Sequence, residues 1–551
     1  MRIAPPWLAS YRRGDVRPDA LAGLTVWSIV VPQAVAYAQI AGLPPQAGLL
    51  AAPGALVGYA LLGTSRALVV GATSSTAALS AATVGSLAHG DAATFAALSA
   101  ALALVVAVVF AAAGLLRLGG VSDLISKPIL VGFLFGLGMT IAVGQLPKLL
   151  GVEGGSGNFF PKLWDLLGQL DETSGATLAV GTASVAVLVV LRRRAPTLPS
   201  SLIVLVAGIA VSAAAGLADH GVAVVGHIPS AFPTPEIPDV SGHEIAELTG
   251  GAFGIALVGY AEAVTVARSS AAAHGYAITA DRELIGLGGA NLLAGLSQGF
   301  VQSGGASQTA AADRAGGRTQ AMSLVAAALV LVTGAVLAPL FTDLPEATLA
   351  AIVIVAITGF LRVGELVRFA RMRRSAIVIA LVALAGVLVL GILNGLLVAA
   401  GLSLAVVVKR LSRPGVGELG RDPETGRLGR LDRDQGRERV PGLLAVRIEG
   451  PLFYANATAV KERVLALARA DERRPRVLLL DLGASTDLDV ESADMLAEMR
   501  DALKGNGIEL ELANVRAPAL EILRRSGMTD DLGPGGVLAT PESAGEIARS
   551  G

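Results

Sequence analysis

A chain of 551 residues that is 53% hydrophobic, only 16% charged and of mean hydropathy +0.64 is too apolar for an ordinary soluble enzyme. Its formal net charge of −1 excludes a global field suited to nucleic acid or to a strongly acidic partner. With no cysteine it has no disulfide, no thiolate nucleophile and no Cys-ligated metal, although this does not fix the compartment.

In chain order, residues 1–18 are polar and proline-containing, and read as a cytoplasmic N-terminal segment without a cleavable signal pattern. Apolar runs of spanning length follow. Fourteen spans are expected, several short or broken, near 19–40, 46–63, 70–88, 93–116, 124–147, 175–191, 200–217, 249–271, 284–299, 305–314, 320–341, 346–361, 375–391 and 393–408. Basic residues test this count, because cytoplasmic loops retain Lys and Arg. With Arg12, Arg13 and Arg17 inside, the alternate loops hold Arg66, Arg117, Lys127, Arg192 to Arg194, Arg268, Arg282, Arg314, Arg318 and a cluster from Arg362 to Arg374. The opposite loops hold only Lys148 and Lys162, although the connections 148–174 and 218–248 are the longest. The unbroken bias predicts an even number of spans with both termini cytoplasmic.

Seven spans followed by seven make the second half start on the opposite face, which is an inverted repeat, about 19–217 and 249–408. The third span reads VVGATSSTAALSAA and the tenth FVQSGGASQTAAAD, so two polar interruptions occupy corresponding positions. They are the expected broken helices, whose half-helix N-termini point free amides and a positive dipole end at an anion near the midplane. Gly71, Gly304 and Gly305 permit close backbone approach, and Thr73, Ser74, Ser75, Thr76, Ser303, Ser307 and Thr309 offer hydroxyls. Small polar residues also serve plain helix packing, but a matched pair favours a site.

The first span, AGLTVWSIVVPQAVAYAQIAGLPPQAGL, resembles the opening of the SulP anion transporter family, the sulfate permease type. AEAVTVARSSAAAHGYAITADRELIGLGGANLLAG resembles the same family's eighth and ninth spans, and the likeness runs from Asp15 almost to the end. It implies a mostly α-helical polytopic membrane protein of seven plus seven spans, divided into core and gate domains, usually a homodimer, with a small cytoplasmic α/β domain. Carried over residue by residue, the anion pocket would use Gln33 and Tyr37, the backbone near Ala72 and Thr73, and Ser307 with its neighbour Gln308. For Gln33 and Tyr37 an interhelical hydrogen bond without a ligand is the alternative.

Glu262 lies near the centre of the eighth span, at the place that mirrors Gln33 of the first, and a carboxylate there is costly unless it has a task. Many relatives carry an arginine where this chain has Gln308. Without that cation Glu262 is expected to take up a proton or a small cation such as sodium, which makes it the coupling residue of a symporter. The alternative is a structural carboxylate bonded to Ser or Thr hydroxyls.

Residues 409–439, rich in Gly, Arg and Asp, read as a charged linker. From 440 to 551 strand and helix patterns alternate: LLAVRIEG, AVKERVLALARA, RVLLLDLG, ESADMLAEMRDAL, IELELANV, PALEILRRSG. With Pro451 to Ala457 this resembles the STAS domain that ends SulP transporters and also occurs alone as the anti-sigma factor antagonist. Those antagonists are phosphorylated on a serine just after the loop aspartate; here Val490 and Glu491 follow Asp489, so a phosphoswitch is not expected unless Ser492 substitutes. The tail is given a regulatory, trafficking or dimer-contact role, with a possible cytoplasmic regulator as partner.

The chain is therefore expected to be no enzyme and to carry no cofactor or metal, apart from H+ or Na+ as coupling ion. It is expected in the inner or plasma membrane, moving sulfate, bicarbonate or a small dicarboxylate by alternating access. An anion channel, uniporter or exchanger on the same scaffold is the alternative. A nucleobase permease is less favoured, because it would want a second carboxylate between Gly304 and Ala312.

Overall fold

The computed structural model describes residues 5, 7–120, 126–195, 198–229, 232–433, 436–471, 475–533 and 535–541. Two compact units divide the chain, Met1–Ser403 and Leu404–Gly551.

A helix forms at each of the fourteen expected spans. The first seven are Val16–Ile40, Pro45–Leu62, Ser74–Val84, Ala92–Leu115, Lys127–Leu150, Gly175–Arg194 and Ser200–Ala215. The second seven are Gly242–His274, Ala280–Leu296, Ala306–Arg314, Ala321–Val332, Glu346–Ile357, Arg374–Leu390 and Ile392–Leu411. Eight helices among the described residues are long and apolar enough to cross a bilayer alone. The third and tenth are far shorter because a glycine-containing extended segment occupies their first residues. The eleventh stops at Val332 and continues as a π turn and a 3₁₀ turn to Phe341, because Pro339 has no amide to extend the ladder.

Two further helices, Phe159–Gly168 and Val363–Met372, were not anticipated. Both are short and amphipathic, with Phe159 and Leu166 in one and Phe369 in the other turned inward, so neither reads as an apolar run.

Spans pack through small residues, as lipid-embedded helices do when backbones must approach closely. A Cβ at Gly48 would lie 2.0 Å from the Ala34 carbonyl oxygen, and one at Gly58 2.3 Å from that of Gly289. Trp27 Nε1 donates to Thr333 Oγ1 at 2.9 Å, tying the first span to the end of the eleventh.

The second unit holds a six-stranded sheet in the spatial order Leu428–Arg430, Val416–Arg421, Leu443–Ile448, Val477–Asp481, Glu509–Ala513 and Val537–Leu538. The first three run antiparallel to one another and the last four are parallel, with Leu444 opposite Leu478 and Leu478 opposite Leu510. Parallel pairing requires crossovers, and Tyr454–Ala470 and Val490–Lys504 supply them. Val446, Leu480, Leu512, Val464 and Leu496 form the core beneath these helices.

One expectation is corrected here and one open alternative is closed. The stretch 409–439 is not merely a linker: the last span runs on to Leu411, and Val416–Arg421 with Leu428–Arg430 adds two strands to the sheet. Alternation in VGELGR places Leu419 inward, where it joins Leu428 and Val440, and the surrounding charges masked this pattern. Ser492 is no substitute phosphoacceptor, since it is fully buried and its hydroxyl and amide both bond Asp489, which caps the helix.

Candidate functional site

The two interruptions meet. Val70–Gly71 and Ser303–Gly304 pair as short antiparallel strands, Val70 opposite Gly304 and Gly71 opposite Ser303. Each then turns into its half-helix. Thr73 caps the first, its hydroxyl accepting from the Thr76 amide at 3.3 Å. Gly305 precedes the second without any side-chain cap, so its leading amides keep no side-chain acceptor. Cross-bonds fix the register: the Gly305 amide donates to Val69 O at 2.9 Å, and the Val69 amide donates to Thr309 Oγ1 at 3.0 Å. Glycine is required sterically at 304, where a Cβ would stand 2.8 Å from Ala263 Cα on the eighth span.

A cavity of about 810 Å³ lies where these half-helices begin, and all seven residues expected at the site line it: Gln33, Tyr37, Ala72, Thr73, Glu262, Ser307 and Gln308. Side chains from the first and tenth spans are interlocked. Gln33 Nε2 donates to Ser307 Oγ at 3.2 Å, while Gln308 Nε2 donates to Gln33 Oε1 at 2.8 Å and more weakly to Ala72 O at 3.4 Å. Gln33 and Gln308 are almost wholly buried, at 4% and 1% exposure, so these bonds form away from bulk water. Ser75 Oγ donates to Glu262 Oε2 at 2.7 Å, which joins the third span to the eighth. The other carboxylate oxygen, Glu262 Oε1, and the amide oxygen of Gln308 are buried with no hydrogen-bond partner. Unpaired buried acceptors favour a proton or a cation beside them, and N–H groups at the helix starts favour an anion. The residues that carry both kinds of group line one cavity.

Sequence reasoning missed several contributors. Arg192, Arg314 and Arg362 also line the cavity, each at or just beyond the end of a spanning helix; they were counted only as topology markers. Arg192 Nη1 donates to Val355 O at 2.9 Å, which draws it toward the twelfth span. Asn291 is fully buried and clamps the approach to the second interruption, accepting from the Gln302 amide at 2.9 Å and donating to Gln302 O at 3.0 Å. Gln320 does the equivalent for the first, donating to Ser65 O at 2.9 Å and Leu68 O at 2.8 Å. Buried amides inside apolar runs were the available signal.

The pattern that defines the sulfate permease family matches residues 16–383, and that of the STAS domain matches residues 436–544. The chain is 36% identical over 539 residues to the probable sulfate transporter Rv1739c of Mycobacterium tuberculosis, covering 98% of this chain and 96% of that one. It is 27% identical to the probable sulfate transporter 3.4 of Arabidopsis thaliana, covering 97% of this chain and 85% of the relative. Among solved structures, the murine Slc26a9 anion transporter in its inward-facing state superposes with a TM-score of 0.91 at 25% identity, covering 100% of this chain and 94% of that one. With its paired broken helices and its strand-helix tail, the chain belongs to the sulfate permease family of membrane transporters and ends in a STAS domain.

Proposed function

We propose that the protein is a secondary active transporter of a small dianion, sulfate foremost, moved together with a proton or sodium ion by alternating access. The convergence of two half-helix N-termini on a cavity also lined by Glu262, whose carboxyl keeps one buried oxygen without a partner, carries this reading. In it the anion rests against the amides that start at Ser74 and Ala306, with Gln33, Tyr37, Thr73, Ser307 and Gln308 shaping the pocket. Glu262 takes the coupling ion. A bound anion raises the affinity of Glu262 for that ion, and by linkage the ion raises the affinity for the anion. Coupling then follows from electrostatics within one cavity.

Sulfate is placed first because the relatives compared above are named for it. The basic loops support cytoplasmic termini and a plasma or inner membrane location. The cavity is lined by Arg192, Arg314 and Arg362, which the same rule assigns to the cytoplasmic side, and this supports an inward-open state. A homodimer, and a cytoplasmic regulator acting on the STAS domain, complete the proposal.

Proteoliposome uptake of labelled sulfate, bicarbonate and succinate, each with and without proton and sodium gradients, tests it. Sulfate accumulation driven by one of the two gradients is the expected result. Voltage-driven anion current with no dependence on either cation would make the protein a channel on this scaffold.

A further inference from the structure

A second cavity, of about 470 Å³, shares no lining residue with the first. Its wall gathers Arg12 and Asp15 from before the first span, Arg66 from the loop leading into the first interruption, His274 and Tyr276 from the end of the eighth span, and Arg318 from the loop after the tenth. Three guanidinium groups therefore converge, and Asp15 is the one carboxylate among the lining residues.

The charges are not mutually satisfied. Arg318 Nη1 pairs with Asp15 Oδ1 at 3.1 Å. The neighbouring Asp19 is buried and already accepts from the Arg318 amide, the Thr319 amide and the Thr319 hydroxyl, at 2.7, 3.1 and 2.6 Å. Arg12 gives Asp15 only its backbone amide, at 2.9 Å. Arg66 lies over the Tyr276 ring, 5.6 Å from its centroid. Stacking of this kind uses the face of the guanidinium and leaves its in-plane N–H fork open. The Tyr276 hydroxyl is held by Ser65 Oγ at 3.1 Å, so the platform is fixed. His274 faces Ser270 O through Nδ1 at 2.9 Å, leaving Nε2 for the cavity.

We infer that this cavity binds the phosphoryl group of a phosphate monoester. The Arg12 guanidinium acts on Asp15 only through its field, and among the described residues neither Arg12 nor Arg66 makes a side-chain hydrogen bond to a carboxylate; two such guanidinium forks match a dianionic phosphoryl group, which accepts bidentate bonds from each. The volume is that of a pocket for a small organic molecule and exceeds what a bare inorganic anion fills. Either a soluble ester or the monoester headgroup of a lipid such as phosphatidic acid presents this chemistry, and basic pockets between spans are known ground for the latter. Ligand held here would restrain both loops that enter or leave the interrupted spans, 63–69 and 315–320. Only the assignment of the site to the cytoplasmic face rests on the topology proposed above.

The test uses the full chain in nanodiscs. In one arm, phosphatidylcholine discs are titrated with glycerol 3-phosphate; in the other, retention of phosphatidic acid from mixed discs is counted by native mass spectrometry. Arg12→Gln with Arg66→Gln is expected to weaken binding about a hundredfold. Arg13→Gln with Arg17→Gln, which removes equal charge from residues outside the cavity, is expected to leave it unchanged, as is Gln33→Ala in the transport cavity. Arg12→Lys with Arg66→Lys should fall between, because it keeps charge and removes the fork. Glycerol 3-phosphate binding that the Gln pair abolishes, with no retention of phosphatidic acid by the unaltered protein, identifies a soluble ligand; phosphatidic acid retention that the Gln pair abolishes identifies a lipid one. The inference is overturned if neither probe binds, if both Gln pairs weaken binding equally, or if binding follows Gln33→Ala. That last result would assign the anion to the transport cavity and leave the transport proposal standing.

Discussion

Glu262 and Gln308 both line the main cavity and each leaves one buried side-chain oxygen without a hydrogen-bond partner, although one is a carboxyl and the other an amide. Their difference governs coupling. Replacing Glu262 by Gln keeps the acceptor for Ser75 and removes the charge; uptake driven by a proton or sodium gradient should fall at least about tenfold and lose its dependence on that gradient. Full gradient-dependent uptake by the variant would return Glu262 to a structural role. Gln308→Arg places a fixed cation at the cavity that Glu262 also lines, and should yield anion flux that no longer responds to the cation gradients, read in the same vesicles. At Asp489 in the STAS domain, burial pushes the carboxyl up, but bonds from the Ser492 hydroxyl and from the Tyr454 and Ser492 amides outweigh this and hold it below the ordinary carboxylate range. Its folded value lies below its unfolded one. The carboxylate therefore stabilises the domain above the unfolded value, and the contribution is lost as pH falls below about 4. Asp489→Asn removes the carboxylate oxygen that accepts from the Tyr454 amide, and should cost about 1 kcal/mol at neutral pH and flatten the acid limb of a thermal-melt series.

At the scale of elements, the two interruptions depend on buried amides that hold extended backbone at a depth where water is absent. Asn291→Leu leaves the Gln302 amide and carbonyl without their partner, and should destabilise the protein by about 2 kcal/mol and lower flux at unchanged expression. Gly304→Val should be more severe, since its side chain meets Ala263 backbone and the strand pair cannot close. Detergent melting curves alongside uptake separate the two effects. The paired positions of these segments were readable because an odd number of spans per repeat places them in register. Gln33, Thr73 and Ser307 were readable through family likeness. Asn291 and Gln320 were not, because their roles arise from contacts with segments whose positions only the folded chain defines. The strands Val416–Arg421 and Leu428–Arg430 were obscured in a different way: an antiparallel edge with one wet face carries many charges, and those charges dominate the composition.

For the whole molecule, a membrane unit of two inverted repeats holds one cavity where the repeats interlock and a second against the loops that flank the interruptions, and a STAS domain follows it in the chain. The fold was largely legible from hydropathy and basic loops. The arginine lining of the main cavity was not, because Arg192, Arg314 and Arg362 are separated in sequence and meet only across spans. Because the chain has no cysteine, a single introduced thiol reports on one position without background. The most direct measurement is the rate at which a charged thiol reagent modifies Ser307→Cys, compared with Val490→Cys on the exposed surface of the STAS domain, while sulfate is raised. Sulfate should slow modification at 307 in proportion to occupancy, more strongly when the coupling cation is present, and leave the rate at 490 unchanged. Modification at 307 that ignores every transported anion, in protein that still takes up sulfate, would contradict the claim that the paired half-helices cradle the anion.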